Sequence, residues 1–239
     1  MASDALSGPP GRVNGLATYF SIVPTPKAAF AQLARTPMWG WAAVAGIVLT
    51  LIGSVLAAPA TAHFAQIMQQ QRLAQLPADQ RQQAAAAMAA SASFVNFFIA
   101  AGGVVTPWIV WLVTAAIFLA GAALLGGQAR WKLAWVAAVN AYVISAIAAV
   151  IYGIILRLRG PLSVNSTADV YVLPSLSQFV HGSVKLAAFL AAYNVMYIWY
   201  YIVAIIALEQ ILKLRRSAAI GTGIAVSLLS AGYAALVSR

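Results

Sequence analysis

LAWVAAVNAYVISAIAAVIYGIIL, residues 133–156, contains no charged side chain and is bracketed by Lys132 and Arg157. As a helix at 1.5 Å per residue it is about 36 Å long, enough to cross a hydrocarbon core of about 30 Å. Inside such a core every backbone amide needs a partner within the chain, and a helix supplies all of them. Outward from this stretch the pattern recurs: 36–71, 82–129, 186–208 and 217–238 are also free of charge. Of 239 residues, 63% are apolar and only 8% charged, whereas a soluble domain carries about a quarter charged. The fold class that follows is all-α: a polytopic transmembrane helical bundle of about five spans.

The expected spans are 39–58, 105–125, 133–156, 187–208 and 218–237, forming a membrane domain over 39–237. Residues 1–38 read as a cytoplasmic N-terminal segment with a short juxtamembrane helix, and 59–93 as a helical outer loop. That loop is rich in Gln and Ala, and Pro77 divides it into two short helices, the second starting near Asp79. The apolar run 94–125 is too long for one crossing, so Pro107 is expected to separate an interfacial piece, 94–104, from the second span. Met1–Asn14 lacks the apolar core of a signal peptide, so the first span is expected to serve as an internal signal.

A net charge of +10 would suit nucleic acid, but the basic residues stand singly or in pairs at the ends of apolar runs. That distribution orients a membrane protein, and no nucleic-acid partner is expected. With the N-terminus inside, the inner segments hold Arg12, Lys27, Arg35, Arg130, Lys132, Lys213, Arg215 and Arg216. The longer outer segments hold Arg72, Arg81, Arg157, Arg159, Lys185 and Arg239. The bias favours N-inside, C-outside in a bacterial inner membrane, although Arg157 and Arg159 argue the other way. Lys27, Arg35, Arg130, Lys132, Lys213, Arg215 and Arg216 are the candidate lipid head-group contacts. Setting topology alone is the plainer role for them. Glu209 and Lys213 have the i,i+4 spacing of a helical ion pair.

Ahead of the first span, Thr25-Pro26 reads as an N-cap followed by Pro at the first helical position. Phe30, Leu33 and Ala34 then share a face, Pro37 ends the helix, and Trp39 and Trp41 occupy the interfacial belt. The run Pro26-x3-Phe30-x2-Leu33-x3-Pro37-x-Trp39, leading into a span, resembles the start of the bacterial Yip domain family. Leu124-Leu125-Gly126-Gly127 at the end of the second span and Asn194-x4-Trp199 in the fourth fit the same pattern. The resemblance covers about residues 19–237. It implies a five-span membrane protein related to the Ypt/Rab-interacting proteins of eukaryotic secretion. The acidic, Gly-Pro-containing N-terminal signature of those relatives is missing, so the resemblance implies a fold and a location and leaves GTPase binding open.

Chemistry-bearing residues are sparse. There is no Cys, and the acids are Asp4, Asp79, Asp169 and Glu209. A hydrolase reading would need Asp169, His181 and a Ser such as Ser163 or Ser183 in the third-to-fourth loop, without a nucleophile elbow. His63 and His181 lack metal-ligand spacing, so no catalytic residue, cofactor or metal is expected. The spans carry no buried charge of the kind a coupled transporter uses. Their polar content is mainly Asn140, Asn194 and hydroxyls.

Helix faces are more informative. Ala42, Gly46, Thr50, Gly53 and Ala57 form a small-residue face opposite Trp41, Val44, Val48, Leu51, Ile52 and Val55. Ala219, Gly223, Ser227, Ser230, Ala231 and Ala234 repeat the motif in the fifth span. Small faces let backbones approach in lipid, within the chain or in self-association. In the fourth span, Tyr193, Asn194, Tyr197, Tyr200 and Tyr201 share a candidate polar bundle face expected to look inward, with Trp199 toward lipid. The functional expectation is a non-enzymatic membrane scaffold whose partners are membrane lipids, other membrane proteins or a second copy. The alternative is a transporter or permease-like component for lipid or a small apolar solute.

Overall fold

The computed structural model describes residues 14–180 and 182–238; Asp4, Arg12, His181 and Arg239 lie outside the described residues. The helices are α1 (Gly15–Ser21), α2 (Pro26–Arg35), α3 (Gly40–Gln75), α4 (Ala78–Leu124), α5 (Trp131–Ala141), α6 (Val143–Arg159), α7 (Thr167–Val170), α8 (Val184–Ala191), α9 (Val195–Gln210) and α10 (Arg216–Val237). Among the described residues the only β pairing is an isolated bridge between Ser175 and Asn194. Gly40–Gln75, Gly103–Leu124, Trp131–Arg159 and Arg216–Val237 are each long and apolar enough to cross a membrane, and Val195–Gln210 is a shorter apolar helix. The molecule is an all-α membrane bundle of about five passes.

Connections alternate between two ends. At one end the 125–130 turn meets the 211–215 segment, where the Gln128 amide donates to the Leu212 carbonyl at 2.7 Å. There α2 packs on α9 and α5. At the other end Leu156, Val164 and Val172 cluster with Ala57 and Ala60.

Helix continuity departs from expectation in four places. First, Pro107 does not divide α4, which runs unbroken from Ala78 to Leu124. Proline removes one backbone donor, but within a bundle neighbouring helices help to satisfy what it frees. Second, the two helices flanking Pro77 are not short: they are extensions of α3 and α4. Third, α5 and α6 meet at Tyr142, a single-residue irregularity whose amide still donates to Ala138. Fourth, the fourth pass is interrupted between α8 and α9. Asn194 stops the helix there by acting as the N-cap of α9, its Oδ1 accepting from the Met196 and Tyr197 amides at 3.0 Å each. Its Nδ2 donates back to the Ala191 carbonyl. Short polar side chains compete with the helical ladder in this way, which makes Asn a cap more readily than a mid-helix residue.

Arg81, counted above toward topology, closes the hairpin turn. Its guanidinium donates to the Leu76 and Ala74 carbonyls at 2.9 and 3.1 Å, satisfying carbonyls that the end of α3 leaves free. The N-terminal segment also holds a helix beyond the expected one: α1, capped by Asn14, whose Oδ1 accepts from Leu16 and Ala17. Asn14 followed by Leu16, Tyr19 and Phe20 was the available signal. Thr25 precedes Pro26 at the start of α2 but makes no side-chain cap. Its hydroxyl turns back to the Ser21 carbonyl at 2.9 Å, which also accepts from the Thr25 amide.

Candidate functional site

Most of the small-residue positions are buried inside the chain, whereas Ser230 of α10 is exposed and Ala234 half-buried. Ala42, Gly46, Gly53 and Ala57 are buried in α3, while Trp41, Val44, Val48, Ile52 and Val55 on the opposite side are exposed. Gly53 and Gly153 let α3 and α6 touch backbone to backbone: a Cβ on Gly53 would strike the Ala149 carbonyl, and one on Gly153 the Gly53 carbonyl. In α10, Gly223 receives the side chain of Ile205 from α9, and Thr222 sits against Gly121 of α4, so these contacts serve packing within the bundle.

Asn140 is buried, and its Nδ2 donates to the Met38 and Val136 carbonyls at 2.9 Å each. It thereby ties the α2–α3 connection to α5. The Tyr142 and Thr50 hydroxyls lie 3.4 Å apart.

Of the candidate polar face, Asn194, Tyr200 and Tyr201 are buried, Tyr193 is half-buried and Tyr197 is 41% exposed. Trp199, expected toward lipid, is half-buried against the core. The five residues do not form one continuous helical face: the backbone breaks between Ala191 and Val195, and Tyr197, within α9, is the most exposed of them. Tyr200 and Tyr201 remain together, ring centroids 5.5 Å apart, and Tyr193 reaches Tyr201 at 6.4 Å.

All seven candidate head-group residues, Lys27, Arg35, Arg130, Lys132, Lys213, Arg215 and Arg216, are exposed. They belong to segments that gather at the end where α2 and the 125–130 and 211–215 connections lie. Glu209, at the end of α9, is the one acid there among the described residues. Its expected helical pair with Lys213 does not form a helical register: α9 ends at Gln210, and Lys213 has left-handed backbone at φ 55°. The apolar face of α2 is occupied as well. Ala29, Phe30 and Leu33 are buried against the bundle, leaving Lys27 and Arg35 outside.

Beside this end lies an aromatic cluster the sequence did not reveal. Trp135 contacts Trp39, Trp108, Trp111 and Trp131 with centroid distances of 6.0–6.3 Å. Trp111 also meets Tyr142 at 5.6 Å. Tyr19 Oη and Trp111 Nε1 are buried without a hydrogen-bond partner among the described residues.

At the opposite end, the residues of the hydrolase reading are engaged locally. Asp169 Oδ2 accepts from the Asn165 and Ser166 amides and from Ser166 Oγ. Ser163 Oγ donates to the Gly160 carbonyl, and Ser183 Oγ caps α8. The Ser166 hydroxyl, then the Asn165 amide, hold the Asp169 carboxyl below its ordinary range. A depressed carboxyl contributes order above its unfolded value and loses it as pH falls through the folded one. Protection of the Asn165 and Ser166 amides from exchange, measured against the intrinsic rate at each pH, is therefore expected to fall on acidification below the usual carboxylate range. Asp169→Asn should remove that pH dependence, and an unchanged profile in the variant would refute the assignment. No group of His and acidic residues able to hold a metal occurs among the described residues.

No curated protein and no solved structure matches the chain. The five-pass bundle, the Pro/Trp-marked approach to its first span and the Gly-Gly turn after α4 meet in one finding. The model of the Yip1 domain matches residues 20–238, and the chain belongs to that family.

Proposed function

We propose that this Yip1-family protein is a non-enzymatic interaction scaffold of a bacterial inner membrane, with its N-terminal segment inside and its C-terminus outside. The observation that carries the reading is the α3–α4 hairpin. Its arms contain 36 and 47 residues, about 54 and 70 Å of helix against a hydrocarbon core of about 30 Å. The hairpin's tip is polar, with Gln70, Arg72, Gln75, Gln80 and Gln82 exposed. A long helical hairpin with a polar tip offers area for another protein. The buried amides of Asn140 and Asn194 donate to backbone carbonyls, which withdraws them from any polar route through the bundle.

The transport reading rests on the interruption at Asn194, since broken helices line substrate sites in many transporters. Two measurements separate the readings. A photo-crosslinking residue at Gln70 or Gln82 in native membranes should give a discrete adduct with another membrane or envelope protein. The purified protein in vesicles should leave transbilayer movement of a fluorescent phospholipid at the rate of empty vesicles. Accelerated movement without a hairpin adduct would replace the scaffold by a transporter.

Orientation is accessible because the chain has no native cysteine. Gln178→Cys should react with a membrane-impermeant maleimide in intact spheroplasts, and Ala129→Cys only after permeabilisation. The reverse labelling would invert the proposed topology.

A further inference from the structure

We propose that the elbow between α2 and α3 is a binding site for an anionic phospholipid. This reading is independent of the scaffold role. Pro37, Met38, Trp39, Gly40, Trp41 and Val44 line an open cleft of about 570 Å³. Its walls are apolar and uncovered by the described residues: Trp41 is 61% and Val44 54% exposed. The Trp41 side chain rests against Gly15 at the start of α1, which holds one wall in place. Gly40 forms the floor, and a Cβ built there meets nothing within 4 Å.

The cleft's surroundings select the occupant. It sits where the polar N-terminal segment gives way to the first membrane pass, the depth at which tryptophans meet head groups. Arg35, the last residue of α2, stands two positions before the cleft begins. Trp39 meets Trp135 edge-on at 6.0 Å, and Trp135 stacks on Trp131 at 6.1 Å. This aromatic chain places the start of α5, with Arg130 and Lys132, on the same corner. Three exposed cations thus share a corner with an open, apolar, aromatic-lined cleft. A lipid phosphate fits the cations, Arg offering paired donors to its oxygens. An acyl chain fits the wall formed by Trp41 and Val44. A second protein helix would cover the wall but leave the positive charge without a counterpart.

The test uses the full-length protein extracted from membranes containing phosphatidylglycerol and phosphatidylcholine, with retained lipid counted by native mass spectrometry. Phosphatidylglycerol should be retained preferentially. The combined substitution Arg35→Gln, Arg130→Gln, Lys132→Gln should reduce that retention about tenfold or more. Gly40→Phe should reduce it as well by filling the slot, with every charge unchanged. Arg157→Gln, Arg159→Gln, Lys185→Gln removes equal charge from exposed positions at the opposite end of the bundle and should leave retention near that of the parent protein. Equal losses in the two charge variants would reduce the effect to general attraction and overturn a site. So would undiminished retention in a folded Gly40→Phe protein; should that variant not fold, the two charge variants decide alone.

Discussion

Gly153→Ala is expected to unfold the bundle more readily than almost any other single methyl added to this chain. The new Cβ would meet the Gly53 carbonyl and lie 2.9 Å from Leu56 Cβ. Backbone atoms have no alternative rotamer, so α3 and α6 must separate along their shared crossing. Packing is also the main force that associates helices in lipid, where apolar burial against solvent is already complete. A cost of about 3 kcal/mol or more follows, the upper range of overpacking. Gly53→Ala should behave alike, because its Cβ would strike the Ala149 carbonyl from the other side. Gly221→Ala and Gly232→Ala supply the contrast. A Cβ at either position in α10 meets nothing within 4 Å, and helix propensity favours Ala over Gly by about 1 kcal/mol. Unfolding in a fixed detergent should therefore show a large loss for the first pair and none for the second. Equal stabilities for Gly153→Ala and Gly221→Ala would contradict the backbone contact.

Trp111→Ala is the second large effect. Trp111 is fully buried, with Trp108, Trp135 and Tyr142 around it at 5.2–6.3 Å, and its ring edge reaches Gly46 of α3. Removing it would open a cavity where α3, α4 and α5 converge, at a cost of about 3–5 kcal/mol. Trp111→Phe isolates the ring from its N–H. Because Nε1 has no hydrogen-bond partner among the described residues, losing that donor removes no bond. The Phe variant should then cost less than half as much as the Ala variant. A Phe variant as damaged as the Ala variant would mean that Nε1 makes an essential hydrogen bond.

Much of the bundle was readable because its signals are local. Apolar length reports whether a segment can cross a membrane, and side-chain size around a helix reports which face a neighbour can approach. Gly46 and Gly53 inward, with Val48, Ile52 and Val55 outward, follow from those two properties. The basic end was readable too, since charge cannot enter the hydrocarbon and must collect beside the passes. The tyrosine face of the fourth pass was only half readable. Tyr200 and Tyr201 lie on α9, and helical periodicity puts both on its buried side. Tyr193 and Asn194 belong to a break that periodicity assumes away.

Determined by the sequence itself were the all-α membrane class, about five passes, the small faces of α3 and α10 and the gathering of cations beside the passes. Left to the tertiary structure were the positions where helices continue and where they stop. Pro107 stays inside α4, Asn194 ends a helix, and Lys213 lies beyond α9 instead of pairing with Glu209. It also decided that Trp39, ahead of α3, Trp108 and Trp111 of α4 and Trp131 of α5 converge on Trp135. The physical reason is the same throughout. Partition into lipid depends on what each residue is, whereas a backbone break, a close crossing or an aromatic cluster depends on which distant groups arrive to satisfy or fill it.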